Sequence, residues 1–559
     1  MNERRERAIS TRREFLRRSA LGAAALGLAA CSPAVPTASG APAAAATPTG
    51  TPQPKRGGVL TWGQWDANTL IDPANPSGSA SLEIIGNVLD PVILLDDALN
   101  IRPLLATKWQ IEDSAKRYTF TLRDDVRFHD GTPLDSTAVK RTWDRILDPR
   151  TKAPGVAALF GAVDTITAPD PRTVVITYKD SNYSLPYQLW RPYHGILWPK
   201  QLDAAKPGDQ LTSLVGTGPF KWNGVSADGV VSLKANADYA WASDLFSNKK
   251  GPYLDEIRFR SVTETGTRTA TLESGESLLI DEIAEPDYAR LKADQRFTFV
   301  ETIRRGPPIG FFINVQRPPT NEVAVRQALN FAIDRKAIVD KLYFGVHRPA
   351  VGVLTEGVWA RLDELETRYT FDQAKAKQLL DDAGWKAGAG GIREKNGQKL
   401  SLVLATFRDP WSTIADVVQS QYREVGIDVQ VNKLARGPYL DLVRSPQNLH
   451  NLCASAGGGF DPDLLRERYG GAAVRNTNFS NLADPALDAL LNMGPKQPLG
   501  SAERRKTYED AQRRLMDLAP VVSILTQLRV EASAKRVRAL RMGPDGLNAQ
   551  PLNDVWIDQ

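Results

Sequence analysis

The sequence predicts an α/β protein with more than one hydrophobic core. Short runs of β-branched and aromatic residues alternate with segments whose apolar residues recur every three or four positions. Over residues 400–431 the order strand, helix, strand forms a βαβ unit, which favours helices layered on a sheet. A chain of 559 residues is several times the usual domain size, so at least two cores are expected.

Before residue 300, segments with the two-residue period of a strand alternate with segments that have the 3.6-residue period of a helix. The best pattern is in residues 117–123, where Tyr118, Phe120 and Leu122 alternate with polar residues and predict a half-buried strand. The other predicted strands are 58–63, 173–177, 219–222, 230–234, 253–262 and 280–283, and the predicted helices are 79–89, 136–146 and 267–274.

Residues 309–315 are predicted to form a buried strand that organises the second part of the chain. The run is dense in β-forming residues, is too short for an independent helix, and is ended by Pro318-Pro319. From Asn321 the apolar residues recur at helical spacing, and Asp334 can cap a second helix. Further helices are predicted at 371–383, 411–425 and 501–518, and further strands at 400–406, 427–431 and 521–525.

The first 31 residues contain the three parts of an export signal in order. Arg12-Arg13 lies in a segment that resembles the twin-arginine consensus, a stretch of apolar and small residues follows, and residues 28–31 (LAAC) resemble a bacterial lipobox. The resemblance implies that Cys31 is lipidated and begins the mature chain. The alternative is a chance basic-then-apolar segment. Residues 32–56 are mostly Ala, Pro, Thr, Gly and Ser and are predicted to be a disordered linker.

Charge and cysteine content exclude several classes of protein. The first 31 residues hold seven Arg and three Glu, so they carry most of the net charge of +5, and the rest has too little positive charge for nucleic-acid binding. Once Cys31 carries lipid only Cys453 remains, so no intramolecular disulfide is expected. No later stretch approaches 18 consecutive apolar residues, so no other membrane span is expected.

Motifs of catalysis and metal binding are missing from the sequence. It has no Gly-x-Ser-x-Gly elbow and no His-Glu-x-x-His pair, and its four histidines lie far apart. Gly216-Thr217-Gly218 lacks the Lys-Ser/Thr of a phosphate loop and is predicted to be a turn. We therefore expect no enzymatic activity, no metal and no cofactor.

Five blocks of the sequence occur in the order typical of one family. They are RYTFTLRDDVRFHDGTPLDSTAVKRTWD (117–144), GTGPFKW with LKANADY (216–239), VRQALNFAIDR (325–335), FDQAKAKQLLDDAGW (371–385) and Asp-Pro-Asp (461–463). With these blocks the chain resembles, from about residue 57 to 559, the family 5 extracellular solute-binding proteins, which are the dipeptide- and oligopeptide-binding components of ABC importers.

The resemblance implies a two-lobed, periplasmic-binding-protein-like fold of class II type with a two-segment hinge. Lobe I would be 57–308 plus 521–559, with an inserted α+β subdomain at about 91–213, and lobe II would be 309–520. The crossings would lie at 309–315 and 520–526, side by side at the waist.

The resemblance also implies what the protein does. It would be a monomeric, exported lipoprotein, at the outer face of the cytoplasmic membrane or in the periplasm, that delivers a peptide or similarly sized solute to an ABC permease. Two alternatives stay open: an extracytoplasmic hydrolase, and a sensor or chaperone on the same scaffold.

Candidate ligand-binding residues are aromatic and charged residues in loops after strands. Trp65 and Asp66 follow the first strand, Trp359 lies in a loop, and Phe407, Arg408 and Trp411 follow strand 400–406. Arg408 occupies a place where dipeptide binders carry an arginine for the ligand's carboxylate. The alternatives are that Trp65 is a packing residue and that Arg408 is a surface residue paired with Asp409.

The late loop departs from the family pattern. Gly458 stands where peptide binders usually carry the aspartate that holds the ligand's α-ammonium, and Phe460 and Asp461 follow it as further candidates. A buried amine without a counter-ion costs several kcal/mol. Either another carboxylate substitutes, or the ligand is not an ordinary peptide.

Overall fold

The computed structural model of the protein describes residues 53–66, 70–76, 78–206, 208–455, 457–546 and 551–558. The predicted export signal, the lipidation site at Cys31 and the linker up to residue 52 lie outside the described residues. None of the helices in the described part is long and apolar enough to cross a membrane.

The strands of the described residues are, in chain order, β1 (Val59–Gln64), β2 (Ile93–Leu95), β3 (Ile101–Pro103), β4 (Ala106–Glu112), β5 (Arg117–Leu122), β6 (Val163–Asp170), β7 (Thr173–Tyr178), β8 (Phe220–Val225), β9 (Val231–Ala235), β10 (Glu256–Ser261), β11 (Leu279–Asp281), β12 (Phe297–Ile303), β13 (Ile309–Ile313), β14 (Arg348–Pro349), β15 (Lys386–Ala387), β16 (Arg393–Lys395), β17 (Gln398–Lys399), β18 (Ser401–Thr406), β19 (Asp428–Lys433), β20 (Leu452–Ser455), β21 (Val521–Thr526), β22 (Leu528–Ala534), β23 (Val537–Arg538) and β24 (Trp556–Ile557).

The α-helices of the same residues are α1 (Ser79–Val88), α2 (Ser136–Leu147), α3 (Pro154–Leu159), α4 (Pro186–Leu189), α5 (Pro199–Ala204), α6 (Thr265–Ser274), α7 (Glu285–Ala293), α8 (Val323–Phe331), α9 (Arg335–Leu342), α10 (Gln373–Asp382), α11 (Trp411–Glu424), α12 (Arg436–Arg444), α13 (Leu464–Tyr469), α14 (Pro485–Met493) and α15 (Ala502–Leu518). The predicted cap is confirmed, because the Asp334 side chain accepts a hydrogen bond from the backbone of Ala337.

A seven-stranded sheet forms the centre of the first lobe. Its order is β12-β22-β11-β1-β10-β9-β8, and β1 lies between its parallel neighbours β10 and β11. Leu60 and Trp62 of β1 are completely buried, and the Trp62 ring packs on Phe259 of β10 at 5.3 Å. The strand predicted at the start of the folded chain is therefore a central strand of this sheet.

A six-stranded sheet forms the centre of the second lobe. Its order is β14-β21-β13-β20-β18-β19, with β18 parallel to both β19 and β20. All five residues of β13 are buried, which confirms the buried strand predicted from its composition. The β18-α11-β19 segment confirms the predicted βαβ unit.

The chain crosses between the two lobes next to itself. It leaves β12 for β13 through residues 304–308 and returns from β21 to β22 through Gln527. Arg304 joins the two crossings, because its backbone N–H donates to the carbonyl of Gln527 at 3.0 Å and its Nη1 donates to Oε1 of the same residue at 3.2 Å. The waist of the molecule therefore consists of two short chain segments that lie side by side.

The return crossing differs in position from the expectation of 520–526. Strand β21 pairs with β13, Phe311 opposite Val522, and with β14, so it lies in the second sheet and the return occurs one strand later. The two segments do lie side by side, but both belong to the second lobe. Residues 521–525 are apolar enough to be buried in either lobe, so their strand partners decide the boundary.

A separate four-stranded sheet, in the order β4-β5-β7-β6, forms the centre of the inserted subdomain. Its core includes Phe120, Trp143 and Phe160, whose rings meet edge to face at 6.3 and 5.8 Å. Tyr118, Phe120 and Leu122 are all buried, as the alternation of β5 predicts. The same core includes Trp241 and Phe246, which lie beyond the expected end of the insert at residue 213.

Candidate ligand-binding site

The predicted site residues of the two lobes follow strands that end at the carboxyl edges of their sheets. Trp65 and Asp66 come directly after β1, which runs parallel to β10 and β11. Phe407 and Arg408 come directly after β18, which runs parallel to β19 and β20. Ligands of open α/β sheets bind outside the carboxyl ends of the strands. The fold therefore brings both loops to places where a ligand is expected.

Arg408 extends from the second lobe to the first. The Cζ atom of Arg408 lies 4.7 Å from the ring of Trp65, 5.4 Å from the ring of Phe407 and 5.7 Å from the ring of Trp411. Its Nη1 lies 3.8 Å from Oδ2 of Asp66. A guanidinium held against aromatic faces is attracted by their electron-rich surfaces. The structure thus brings these five predicted residues together in one cluster, which we call the Arg408 cluster.

The guanidinium of Arg408 makes no hydrogen bond to another of the residues that the structure describes. Its side chain is 40% exposed, so its N–H groups are accessible to a ligand. Surrounding protein lowers the pKa of Arg408 by desolvation, and Asp66 opposes this shift. A partly desolvated guanidinium gains from an added anionic partner.

Asp409 does not pair with Arg408, although this was the alternative interpretation of the sequence. The Asp409 carboxylate accepts hydrogen bonds from the backbone and the hydroxyl of Thr413, at 3.0 and 2.7 Å. These two bonds occupy Asp409 in the first turn of α11. Arg408 is therefore directed toward Trp65 and Asp66.

Trp65 is half-buried and carries an unused donor. Its indole Nε1 is buried without a hydrogen-bond partner among the described residues. Its backbone N–H donates to Oδ2 of Asp281 at 3.4 Å, which links this loop to β11. Trp65 therefore does more than fill the core, since its ring meets Arg408 and its indole N–H has no hydrogen-bond partner in the part of the chain that the structure describes.

The other predicted residues lie near a second arginine, Arg504 of α15. Arg504 is completely buried, and its Nη2 donates to both carboxylate oxygens of Asp461, at 2.8 and 3.1 Å. The same nitrogen donates to Oγ of Ser184 in the inserted subdomain at 3.0 Å. Its Cζ lies 5.6 Å from the ring of Trp359, whose Nε1 is also buried without a described partner. Burial raises the pKa of Asp461 to about 6, while Arg504 opposes the rise.

The late loop packs against the inserted subdomain. Phe460 is completely buried, and its ring lies 5.4 Å from Tyr187 and 5.9 Å from Trp190. The carbonyl of Gly458 accepts a hydrogen bond from Nη2 of Arg191 at 3.5 Å. This loop therefore joins the two lobes through contacts of its own.

Three of the predicted site residues are buried by their neighbours. Trp411 is 4% exposed and donates its indole N–H to the carbonyl of Ser455 at 3.1 Å. Phe460 is enclosed by aromatic rings, and the carboxylate of Asp461 is already bound by Arg504. Apolar packing and charge pairing hold these three side chains in the structure, and their role in binding stays a prediction.

Arg504 is the residue that sequence reasoning missed. The segment around it is rich in charge and predicts only a long helix, because charged residues usually face solvent. The buried face of α15 nevertheless passes through Arg504, Tyr508, Ala511 and Leu515 at three- and four-residue spacing. That periodicity is the signal that an arginine lies on the inward face.

Known proteins support the same architecture. Residues 100–466 match the family described as bacterial extracellular solute-binding proteins, family 5 middle. Heme-binding protein A of Haemophilus influenzae is 27% identical, with 80% of this chain and 83% of that protein covered. Di/tripeptide-binding protein 1 of Pseudomonas aeruginosa is 27% identical, with 80% and 85% covered.

A solved structure shows the fold independently. The oligopeptide-binding protein AppA of Bacillus subtilis, in complex with a nonapeptide, superposes with a TM-score of 0.78 at 21% identity, covering 91% of this chain and 100% of that one. The two-lobed α/β fold is therefore confirmed. The family consists of binding proteins, so the expectation that the protein is not an enzyme is confirmed as well. The chain belongs to the family 5 extracellular solute-binding proteins, the substrate-binding components of ABC importers.

Proposed function

We propose that this protein is a lipid-anchored, monomeric receptor that captures a peptide or similarly sized, carboxylate-bearing solute between its lobes and delivers it to an ABC permease. The observation that carries the proposal is Arg408, which reaches from the second lobe to Trp65 and Asp66 of the first with its donors accessible. A ligand bound there would touch both lobes at once.

The ligand's acid group is the part that this site suits best. A guanidinium presents two parallel N–H groups that match the two oxygens of a carboxylate. The indole N–H groups of Trp65 and Trp359, which have no hydrogen-bond partner among the described residues, are two further candidate donors, and their rings supply apolar walls.

Two of the carboxylates in the late loop are already bound by arginine. Asp461 is bound by Arg504, and Asp463 accepts hydrogen bonds from Arg466 at 2.8 and 3.0 Å. Asp66, whose side chain is 25% exposed, is the carboxylate beside Arg408. If the ligand carries an amine, we infer that Asp66 takes the place of the carboxylate that Gly458 lacks.

Replacing Asp66 with asparagine tests this inference. We expect affinity for a dipeptide with a free amine to fall about tenfold, because a charge-assisted hydrogen bond contributes roughly 1.5–3 kcal/mol. Affinity for the matching N-acetyl dipeptide should stay the same. Calorimetry on the pair measures both values. Equal losses for the two ligands would mean that Asp66 acts by holding Arg408 instead of binding an amine.

Ligand binding is expected to favour the closed arrangement of the lobes. The waist consists of two short crossings, and a solute that contacts both lobes binds the closed state more tightly than the open one. A ligand present at 100 times its dissociation constant would stabilise the protein by about 2.7 kcal/mol. A thermal shift therefore detects binding without knowledge of the ligand.

The decisive experiment is native mass spectrometry of the purified protein, followed by a thermal-shift screen of solutes. A carboxylate-bearing solute that co-purifies and raises the melting temperature without being consumed supports the proposal. Turnover of that solute would contradict it. Unchanged uptake of the solute in a deletion strain would favour a sensor or chaperone.

Replacing Cys31 with serine tests the lipid anchor. The variant should leave the membrane fraction, because two acyl chains hold a protein at a bilayer and each buried methylene contributes about 0.8 kcal/mol. Fractionation and immunoblotting measure the distribution. Replacing Cys453, the other cysteine of the chain, with serine is the matched control and should leave the protein membrane-bound. Sedimentation of the Cys31 variant with membranes would contradict the anchor.

A further inference from the structure

Three buried acidic side chains lie close together next to the loop of Trp65 and Asp66, which follows β1. Glu83 of α1, Asp281 of β11 and Glu531 of β22 are each no more than 1% exposed. One carboxylate oxygen of each lies within 4.8 Å of the others. We call this group the carboxyl cluster. It joins a helix of the first lobe to two neighbouring strands, one of which is the strand that follows the return crossing.

All three carboxyl groups lie near one arginine, Arg529, which hydrogen-bonds to two of them and lies 3.9 Å from Oδ1 of Asp281. Nη2 of Arg529 donates to Oε1 of Glu83 at 2.8 Å, and Nε of Arg529 donates to Oε1 of Glu531 at 2.7 Å. The remaining oxygen of Glu83 accepts from Nε2 of Gln64 at 2.7 Å. Glu83 is therefore satisfied as a carboxylate, with a donor on each oxygen.

Asp281 is satisfied in the same way, whereas Glu531 is not. Oδ1 of Asp281 accepts from the indole of Trp62 at 2.5 Å, and its Oδ2 accepts from the backbone of Trp65 at 3.4 Å. The Oε2 atom of Glu531 is buried and has no hydrogen-bond partner among the described residues. The Asp281 and Glu531 carboxyl groups each place an oxygen within 4.8 Å of the other, so a proton on one of them could be shared with the other by a small approach.

The charges around the carboxyl cluster also indicate that one of its carboxyl groups carries a proton. Besides Arg529, the buried cation in contact is Arg268 of α6, which donates to the backbone carbonyls of Asp281 and Glu282 at 2.7 Å each. The side chain of Glu282, the other acidic group nearby, is half-buried and accepts from Gln527 at 3.2 Å. Glu282 and Arg304 are both half-buried and oppose each other's charge, so they cancel in the count. The three buried carboxylates against the two buried guanidiniums then leave one excess negative charge in the interior. A buried charge without a partner is costly, and one proton bound to a carboxylate of the cluster would neutralise the excess charge.

We propose that Glu531 is protonated in the folded protein and donates from Oε2 to Asp281, which holds Trp62 and the backbone of Trp65 in place. Glu531 and Asp281 are then positioning residues for the loop of Trp65 and Asp66, where we propose that the ligand binds. Their effect on the ligand rests on the proposed function, but the protonation itself does not. Burial raises the pKa of all three carboxyl groups, and the charge of Asp281 raises that of Glu531 further.

Protonation of Glu531 determines whether its contribution to folding stability rises or falls with pH. In the unfolded chain a glutamate has a pKa near 4.3, so at neutral pH folding must take up one proton. The contribution of this group to stability is therefore fully present at low pH and is lost as the pH rises, until the pH passes the pKa of the folded cluster. Over that window the unfolding equilibrium constant should increase up to about tenfold per pH unit relative to a chain without this proton.

Replacing Glu531 with glutamine imitates the protonated form. The amide oxygen can accept from Arg529 and the NH₂ group can donate to Asp281, so each hydrogen bond is kept without proton uptake. We expect the variant to melt higher than the wild type at pH 8 and to lose most of this gain at pH 5. Asp281→Asn is the matched comparison. It should melt lower at every pH, because one amide oxygen cannot accept from both Trp62 and Trp65.

Melting curves of the full chain between pH 5 and pH 8, for the wild type and both variants, decide the proposal. A Glu531→Gln variant that is destabilised as much as Asp281→Asn would show that Glu531 is ionised and would overturn it. So would a wild-type melting temperature that shifts with EDTA, Mg²⁺ or Ca²⁺, since that would indicate a cation in place of the proton. With the co-purified solute as probe, wild-type affinity should fall from pH 5 to pH 8 and the Glu531→Gln affinity should not.

Discussion

Replacing Arg408 with alanine is expected to weaken binding of a carboxylate-bearing solute by more than about tenfold. The variant loses a charge-assisted pair of hydrogen bonds, which contributes roughly 1.5–3 kcal/mol. It also removes the cation that lies 4.7 Å from the ring of Trp65, so the contact between the lobes weakens as well. Calorimetry with the solute identified by native mass spectrometry measures the change.

Two further variants make this result specific. Arg408→Lys keeps the charge but loses the two-pronged geometry, so its affinity should fall between those of the wild type and the alanine variant. Arg423→Ala is the matched control, because Arg423 lies in the last turn of α11, is 66% exposed and also has its nearest carboxylate, Asp428, at 3.8 Å. It should bind normally. Unchanged affinity of Arg408→Ala would place Arg408 outside the site.

Replacing Asp461 with alanine is expected to lower the free energy of unfolding by about 3–5 kcal/mol. The substitution leaves Arg504, which is completely buried, without its counter-ion. Loss of one partner costs more than loss of the pair, because the remaining charge has neither water nor a carboxylate. Chemical denaturation above pH 7, where a carboxyl group with a pKa of about 6 is ionised, measures the loss.

An exposed arginine of the same helix is the control. Arg513 is 44% exposed and pairs with Glu364 at 3.0 Å and Asp510 at 3.1 Å. Surface ion pairs contribute about 0–1 kcal/mol, so Arg513→Ala should change stability little. The double variant Arg504→Met, Asp461→Leu should recover much of the loss, since apolar side chains replace a buried pair well. A loss below about 1 kcal/mol in Asp461→Ala would show that water or another group neutralises Arg504.

Several elements were predictable because their signals are local. The alternation of β5, the apolar composition of β13 and the helical periods of α8 and α11 each follow from a single stretch of sequence. Strand β22 was missed for an equally local reason. Its sequence LRVEASA contains Arg529 and Glu531, which interrupt the apolar pattern, yet both are buried because they compensate residues of other elements.

In the candidate site, too, some features could be predicted from local sequence and others could not. Trp65, Asp66, Phe407 and Arg408 were identifiable because aromatic and charged residues follow predicted strands. That Arg408 turns to Trp65 and away from Asp409 was not, because the carboxylate of Asp409 is occupied by Thr413. The burial of Arg504 depends on Asp461 and Ser184, which come from a different loop and a different subdomain.

The α/β class, the order of the main elements and a buried strand within residues 309–315 all follow from the amino-acid sequence. Periodicity and composition act within one segment, and burying an apolar face does not depend on which partner covers it. Three other features are visible only in the folded protein: β21 belongs to the second sheet, Arg408 meets Trp65, and Glu531 lies beside Asp281. Each of these rests on groups far apart in the chain, whose charges and hydrogen bonds become defined only when folding removes water and brings them together.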